Sequence, residues 1–145
     1  MNNFEKLKLD NQLCFPLYAL SREIIKLYKP LLSKHNLTYT QYVAMLVLWE
    51  EEKIDFKSLG KRLHLDSGTL TPVLKKLVSM DYVNKYRSPH DDRQVIVEVT
   101  QKGLLLKEQI VDVPDQLLGD YKGDIEDLIM LKKYLDKVLC SMNED

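Results

Sequence analysis

The chain has 145 residues, enough for one domain, or for a compact module with helices that pair with a second copy. Its 45% hydrophobic content supports a packed core. No apolar run approaches a bilayer span, Met1 to Asp10 lacks the apolar stretch of a secretory signal, and a cytoplasmic protein is expected. The net charge of −1 conceals an asymmetry. Between Phe56 and Arg93 eight Lys and Arg stand against four Asp, so that stretch carries +4 and the remainder −5. A basic middle between acidic ends is the footprint of a nucleic-acid-binding segment.

In chain order the periodicity is mostly helical. Leu13, Leu17, Leu20, Ile24, Tyr28 and Leu31 mark one face of a first helix. Asp10 and Asn11 are its candidate caps, Pro16 fits only near its start, and Lys29-Pro30 predicts a kink or reset. Thr38 and Gln41 have capping-box spacing ahead of the apolar run Val43 to Trp49, a second helix. Asp55 caps a short third helix through Leu63. Ser67 is the candidate cap of a fourth, from Gly68 to about Met80, and the short gap between them suits a helix-turn-helix. Tyr82 to Arg87 and Gln94 to Val99 are strand-like, and Ser88 to Asp92 has turn composition. Two strands placed directly after a helix-turn-helix read as a wing. Thr100 caps a fifth helix that Pro114 and Gly119 interrupt or end, and a last helix carries Ile125, Leu128, Ile129, Tyr134, Leu135, Val138 and Leu139.

The expected fold is mainly α with a small β-hairpin wing. Residues 1–36 supply the N-terminal helix of a dimerisation region, 37–100 a winged helix-turn-helix, and 101–145 the C-terminal helices of the dimerisation region. The terminal helices have apolar faces that the central module cannot cover alone, which predicts a homodimer.

From Ser67 to Leu77 the fourth helix offers hydroxyl side chains in its first turns, N–H groups at its start for a phosphate, and Lys75 and Lys76 about two turns on. Lys57, Lys61 and Arg62 can reach the same backbone. Phosphate contacts position a protein on DNA and base-edge contacts specify sequence. Arg93 at the wing tip suits a minor groove, with Asp91 or Asp92 to hold it. Taken singly, Ser67 reads first as a helix cap, Lys75 and Lys76 as a solvated face, and Arg93 as a turn residue. Their order along the chain favours DNA.

Leu65 to Pro72, then Tyr82-Val83, Arg87-Ser88 and Asp91-Asp92-Arg93, resemble the MarR family of winged helix-turn-helix regulators over nearly the whole chain. The wing reads Asp-Asp-Arg where the family usually has Asp-Glu-Arg. The resemblance implies an obligate dimer that represses from a pseudo-palindromic duplex, with Ser67, Gly68, Thr69, Thr71, Pro72, Lys75, Lys76, Arg87, Asp91 and Arg93 at the DNA.

Cys14 falls near the start of the first helix, where the helix dipole favours the thiolate. On residues alone it reads first as a small buried hydrophobe, the commoner fate of a lone cysteine. Leu9 to Phe15, Tyr18-Ala19, Ser21 to Glu23, Tyr28 to Leu32 and Thr38 to Tyr42 resemble the organic-hydroperoxide-sensing branch of that family, OhrR. That resemblance implies Cys14 as redox sensor, Tyr28 and Tyr39 as hydrogen-bond partners from the other subunit, and operator release on oxidation by an organic hydroperoxide. Pro16 stands where many members have another apolar residue. Cys140 is a candidate resolving thiol only if the last helix reaches Cys14; otherwise a low-molecular-weight thiol caps the oxidised sulfur. Two alternatives stand beside this one: a repressor controlled by a small phenolic ligand, and a thiol peroxidase. The chain has no Gly-rich phosphate loop, and His35, His64 and His90 lack metal-ligand spacing. No cofactor, metal, membrane partner or enzymatic activity is expected.

Overall fold

The computed structural model describes residues 2–143. After two short 3-10 turns, Glu5–Leu7 and Leu9–Asn11, it contains α1 (Cys14–Ser33), α2 (Tyr39–Glu51), β1 (Lys53–Asp55), α3 (Phe56–Leu63) and α4 (Ser67–Ser79). The hairpin strands β2 (Val83–Arg87) and β3 (Val95–Val99) follow, then α5 (Gln101–Ile110), α6 (Val113–Gly119) and α7 (Ile125–Met142). The strands form one antiparallel sheet of order β1-β3-β2, with Ile54 opposite Val97 and Lys85 opposite Val97 on the other side. β1 goes beyond the predicted two-stranded wing; three residues are too short for alternation to register.

Several predicted caps are present. Thr38 and Gln41 form a reciprocal capping box on α2, Asp55 accepts from Ser58 N–H on α3, and Thr100 accepts from Gly103 N–H on α5. Two predictions are corrected. Asp10 and Asn11 do not cap α1, because they lie in the preceding turn, where Asn11 Nδ2 donates to the Glu5 carbonyl at 2.7 Å. The N-cap position of α1 is Leu13, without a side-chain cap, and Pro16 falls in the first turn, where its missing N–H leaves no helical bond unmade. Lys29-Pro30 neither resets nor ends α1, which runs on to Ser33.

The core lies in the central module. Leu48 on α2, Leu59 on α3, Leu70, Leu74 and Leu77 on α4, and Val97 on β3 are all fully buried. The Trp49 indole N–H donates to the Gly103 carbonyl at 2.9 Å and ties α2 to α5. Gly103 is required there by close approach: a Cβ would stand 2.4 Å from the Tyr82 carbonyl oxygen and 2.7 Å from Val99 Cγ2. Gly103→Ala is expected to destabilise the fold by about 3 kcal/mol, as overpacking against backbone does, read as a lower urea midpoint at unchanged m-value.

α7 buries none of its residues and α1 buries only Leu32. Tyr18, Ile129, Tyr134, Val138 and Leu139 are exposed, so α1 and α7 present large apolar side chains at the surface. No described helix is long and apolar enough to cross a membrane.

Candidate nucleic-acid interface and thiol site

α3 and α4 are joined by a turn in which His64 takes the left-handed conformation (φ 54°) and Leu65 N–H donates to the Gly60 carbonyl at 3.0 Å. The fourth-helix cap is Asp66 and not Ser67: its carboxylate accepts Thr69 N–H at 2.8 Å, and Ser67 is the first helical residue. The Ser67 side chain is thereby left outside the cap. Leu70, Val73, Leu74 and Leu77 face the core, while Ser67, Gly68, Thr69, Thr71, Pro72, Lys75 and Lys76 are all exposed. The predicted interface residues of this helix therefore share one accessible surface. Beside it, a groove of about 740 Å³ is lined by Lys57, Lys61, His64, Asp66 and Ser67. Arg62 faces another way, pairing with Glu50 at 2.8 Å and Glu51 at 3.2 Å at the end of α2.

The caps give this region an acid-sensitive element. Backbone N–H donation from Thr69 holds the Asp66 carboxyl below its ordinary value, and Ser58, through its hydroxyl and its N–H, does the same to Asp55. Both contributions are complete above the unfolded aspartate range of about 4 and are lost as pH falls through the lowered folded values. Asp66→Asn, which can still cap, is expected to flatten the acid limb of a stability titration followed by circular dichroism.

The wing loop is braced from within. Arg87 Nη1 donates to the Asp92 carbonyl at 2.7 Å, Ser88 N–H to the Gln94 carbonyl at 2.8 Å, and the Tyr86 hydroxyl to Glu98 at 2.6 Å across the hairpin. Asp91, not Asp92, holds Arg93: its Oδ1 accepts Arg93 N–H at 3.0 Å and lies 3.4 Å from Nε. The Arg93 side chain is 93% exposed, a cation projected from a fixed base. Lys85 on β2, over the Phe56 ring at 5.1 Å, adds a positive charge that the sequence reading did not single out; the short strand carried no periodic signal for its direction.

Cys14 is the first residue of α1 and is exposed in the single subunit; Cys140 on α7 is exposed too, and both are free thiols. Tyr28 and Tyr39 lie together with ring centroids 5.2 Å apart, and Tyr42 lies 5.5 Å from Tyr28. Burial, then the neighbouring Tyr42 and Tyr39, push the Tyr28 phenol up to about 12, so its hydroxyl stays a hydrogen-bond donor at neutral pH. Both tyrosines line a pocket of about 290 Å³ with Ile25, Leu32 and Leu37. Fourteen residues of continuous helix separate Cys14 from Tyr28, about 21 Å at about 1.5 Å per residue. The Cys14 thiol therefore cannot reach Tyr28 of its own subunit.

The family model described as "Transcriptional regulator SarA/Rot" matches residues 26–110. The organic hydroperoxide resistance transcriptional regulator of Bacillus subtilis is 49% identical, over 99% of this chain and 97% of that one. The chain belongs to the MarR-type winged-helix transcriptional regulators. A second relative, the HTH-type transcriptional regulator SarZ of Staphylococcus haemolyticus, is 46% identical over 78% of this chain and 77% of that one. Among solved structures, reduced AbfR bound to DNA superposes with a TM-score of 0.81 at 33% identity, covering 97% of this chain and 98% of that one. AbfR, from Staphylococcus epidermidis, has also been solved in an overoxidised, DNA-bound form (TM-score 0.74) and in a disulfide form (TM-score 0.67). In this MarR-type frame α3 and α4 are the helix-turn-helix and β2 and β3 the wing, as the sequence predicts, with β1 closing the sheet.

Proposed function

We propose that the chain is a dimeric repressor that holds a pseudo-palindromic DNA duplex while Cys14 is reduced and lets it go when an organic hydroperoxide oxidises Cys14. The observation that carries this reading is the separation of the thiol from the tyrosine pair. An exposed thiol at one end of α1 and donor phenols in a pocket at the other can meet only between two copies. The exposed apolar faces of α1 and α7 supply the surface for that pairing, so residues 1–36 and 101–145 act as the dimerisation region around the winged module 37–100. Ser67, Gly68, Thr69, Thr71 and Pro72 approach base edges, Lys75, Lys76 and Arg87 contact phosphates, and Arg93, held by Asp91, enters a minor groove.

The chemistry balances without a cofactor. The Cys14 thiolate attacks the terminal oxygen of the hydroperoxide, the O–O bond breaks, the sulfur becomes sulfenic acid, and the organic fragment leaves as an alcohol after taking a proton. A low-molecular-weight thiol then condenses with the sulfenic acid, giving a mixed disulfide and water. In this reading Tyr28 and Tyr39 of the opposite subunit donate to the reduced sulfur and lose that geometry when it carries oxygen or a second sulfur. The two reading helices then change separation, and both half-sites no longer fit together. Two of the relatives, an organic hydroperoxide resistance regulator and AbfR in reduced and disulfide forms, support the reading.

The test is binding to the duplex upstream of the protein's own gene, titrated with salt and then with stoichiometric cumene hydroperoxide. Affinity that falls steeply with salt and again on oxidation is expected. Affinity that oxidation leaves unchanged would overturn the thiol switch and leave a ligand-controlled regulator. Repeated hydroperoxide turnover with added reductant would instead favour a thiol peroxidase.

A further inference from the structure

The outward face of α4 carries two residues that weaken the helix they belong to. Gly68 has no positive φ, and a Cβ added there would meet only the Asp66 carboxylate, at an ordinary 3.5 Å. The fold has room for alanine, which a helix prefers. Pro72, one turn on, has no N–H to bond the Gly68 carbonyl. Both are exposed, opposite Leu70, Leu74 and Leu77, and nothing inside the subunit requires either.

Thr71 stands beside them. Its hydroxyl donates to the Ser67 carbonyl at 2.7 Å, so its proton is spent within the helix. Outward it offers a methyl group and an oxygen that can only accept. The α4 sequence also contains no Arg, Asn or Gln, so the side chains most often used for bidentate contacts with guanine or adenine are missing. Beside the exposed Ser67 and Thr69 hydroxyls, what remains in the first two turns to meet a base edge is shape and apolar surface. In the major groove A·T and G·C pairs both present two acceptors and one amino donor; the feature that A·T adds is the thymine methyl.

We propose that Gly68, Thr71 and Pro72 form a window that reads thymine C5-methyl groups, so that each operator half-site carries a T·A pair where the window lies. This rests on the DNA-binding reading above. Gly68, having no side chain, lets the base edge approach, and the Thr71 methyl and the Pro72 ring pack on the thymine methyl. Lys75 and Lys76, next along the helix, fix the register through phosphates.

The experiment replaces thymidine by deoxyuridine, one symmetric pair of positions at a time, in the duplex footprinted upstream of the protein's own gene. Uracil pairs as thymine does and lacks only the methyl. One buried methyl is worth about fourfold in affinity, so substitution in both half-sites should weaken binding about fifteenfold at the window and leave it unchanged elsewhere. Thr71→Ser, which keeps the hydroxyl, should reduce the uracil penalty, and Thr71→Val, which keeps the branch, should retain it. Gly68→Ala should melt no lower than wild type and bind the thymine duplex about tenfold more weakly. Wild-type binding that uracil leaves undiminished at every position overturns the inference and leaves DNA binding standing. A uracil penalty that Thr71→Ser and Pro72→Ala both leave intact overturns it too, by moving the contact away from the window. Absence of salt-sensitive binding to the thymine duplex overturns this inference and the DNA-binding reading together.

Discussion

Cys14→Ser is expected to bind operator DNA as wild type does and to remain bound after hydroperoxide, under conditions where wild type loses affinity by about tenfold to a hundredfold. That range is the usual size of an allosteric coupling. Serine keeps the size of the thiol and its ability to accept a phenolic hydrogen bond, so the reduced arrangement should survive the substitution. It cannot undergo the two-electron oxidation that puts oxygen on sulfur. Cys14 is exposed in the single subunit and serine differs from it by one atom, so the variant should melt close to wild type. Binding isotherms before and after stoichiometric cumene hydroperoxide, with intact mass of each sample, check the prediction. A variant that still lets go of DNA on oxidation would move sensing to the remaining thiol, Cys140. Cys140→Ser separates the roles: with a low-molecular-weight thiol as the resolving partner, wild-type release is expected to persist in that variant.

Much of this site was legible in the sequence, for identifiable reasons. The order of a capped short helix, a tight turn, a second helix and a hairpin depends on local rules, and Thr38, Asp55 and Thr100 cap where those rules put them. The exposed face of α4 was legible because Leu70, Leu74 and Leu77 fix the buried face and leave the rest outward. The misreadings occur where two local solutions compete. Asp66 and Ser67 are adjacent and both good caps; the structure uses Asp66, which frees the Ser67 side chain for a partner. Pro30 breaks a helix by local preference, yet α1 continues through it, held by Leu31 and Leu32 packing on the core. The ion pairs of Arg62 with Glu50 and Glu51 were not legible, because they join residues eleven and twelve positions away. That separation carries no periodic signal. The gap between Cys14 and the tyrosine pocket follows from helix length alone, once α1 is known to be unbroken.

The apolar surface of α7 predicts the largest loss of function from one residue. Ile129 is 54% exposed in the single subunit, and α7 buries nothing, so Ile129→Glu should leave the central core and its helical signal in place. In a twofold dimer every substitution occurs twice. An uncompensated charge in a closed interface costs about 3–5 kcal/mol, so two cost about 6–10 kcal/mol. At 1.4 kcal/mol for each tenfold, dimer dissociation should strengthen by about four orders of magnitude or more. Sedimentation at micromolar concentration should therefore show a monomer where wild type is a dimer. A monomer holds one half-site only and loses the gain from linking two, about a hundredfold to ten-thousandfold in operator affinity. It should keep weak, salt-dependent binding to a single half-site, because Lys75, Lys76 and Arg93 are untouched. Full-strength operator binding by a monomeric Ile129→Glu would mean that one winged module suffices. The link from Cys14 across two subunits to DNA release would then fail, because that link acts only through the spacing of two reading helices.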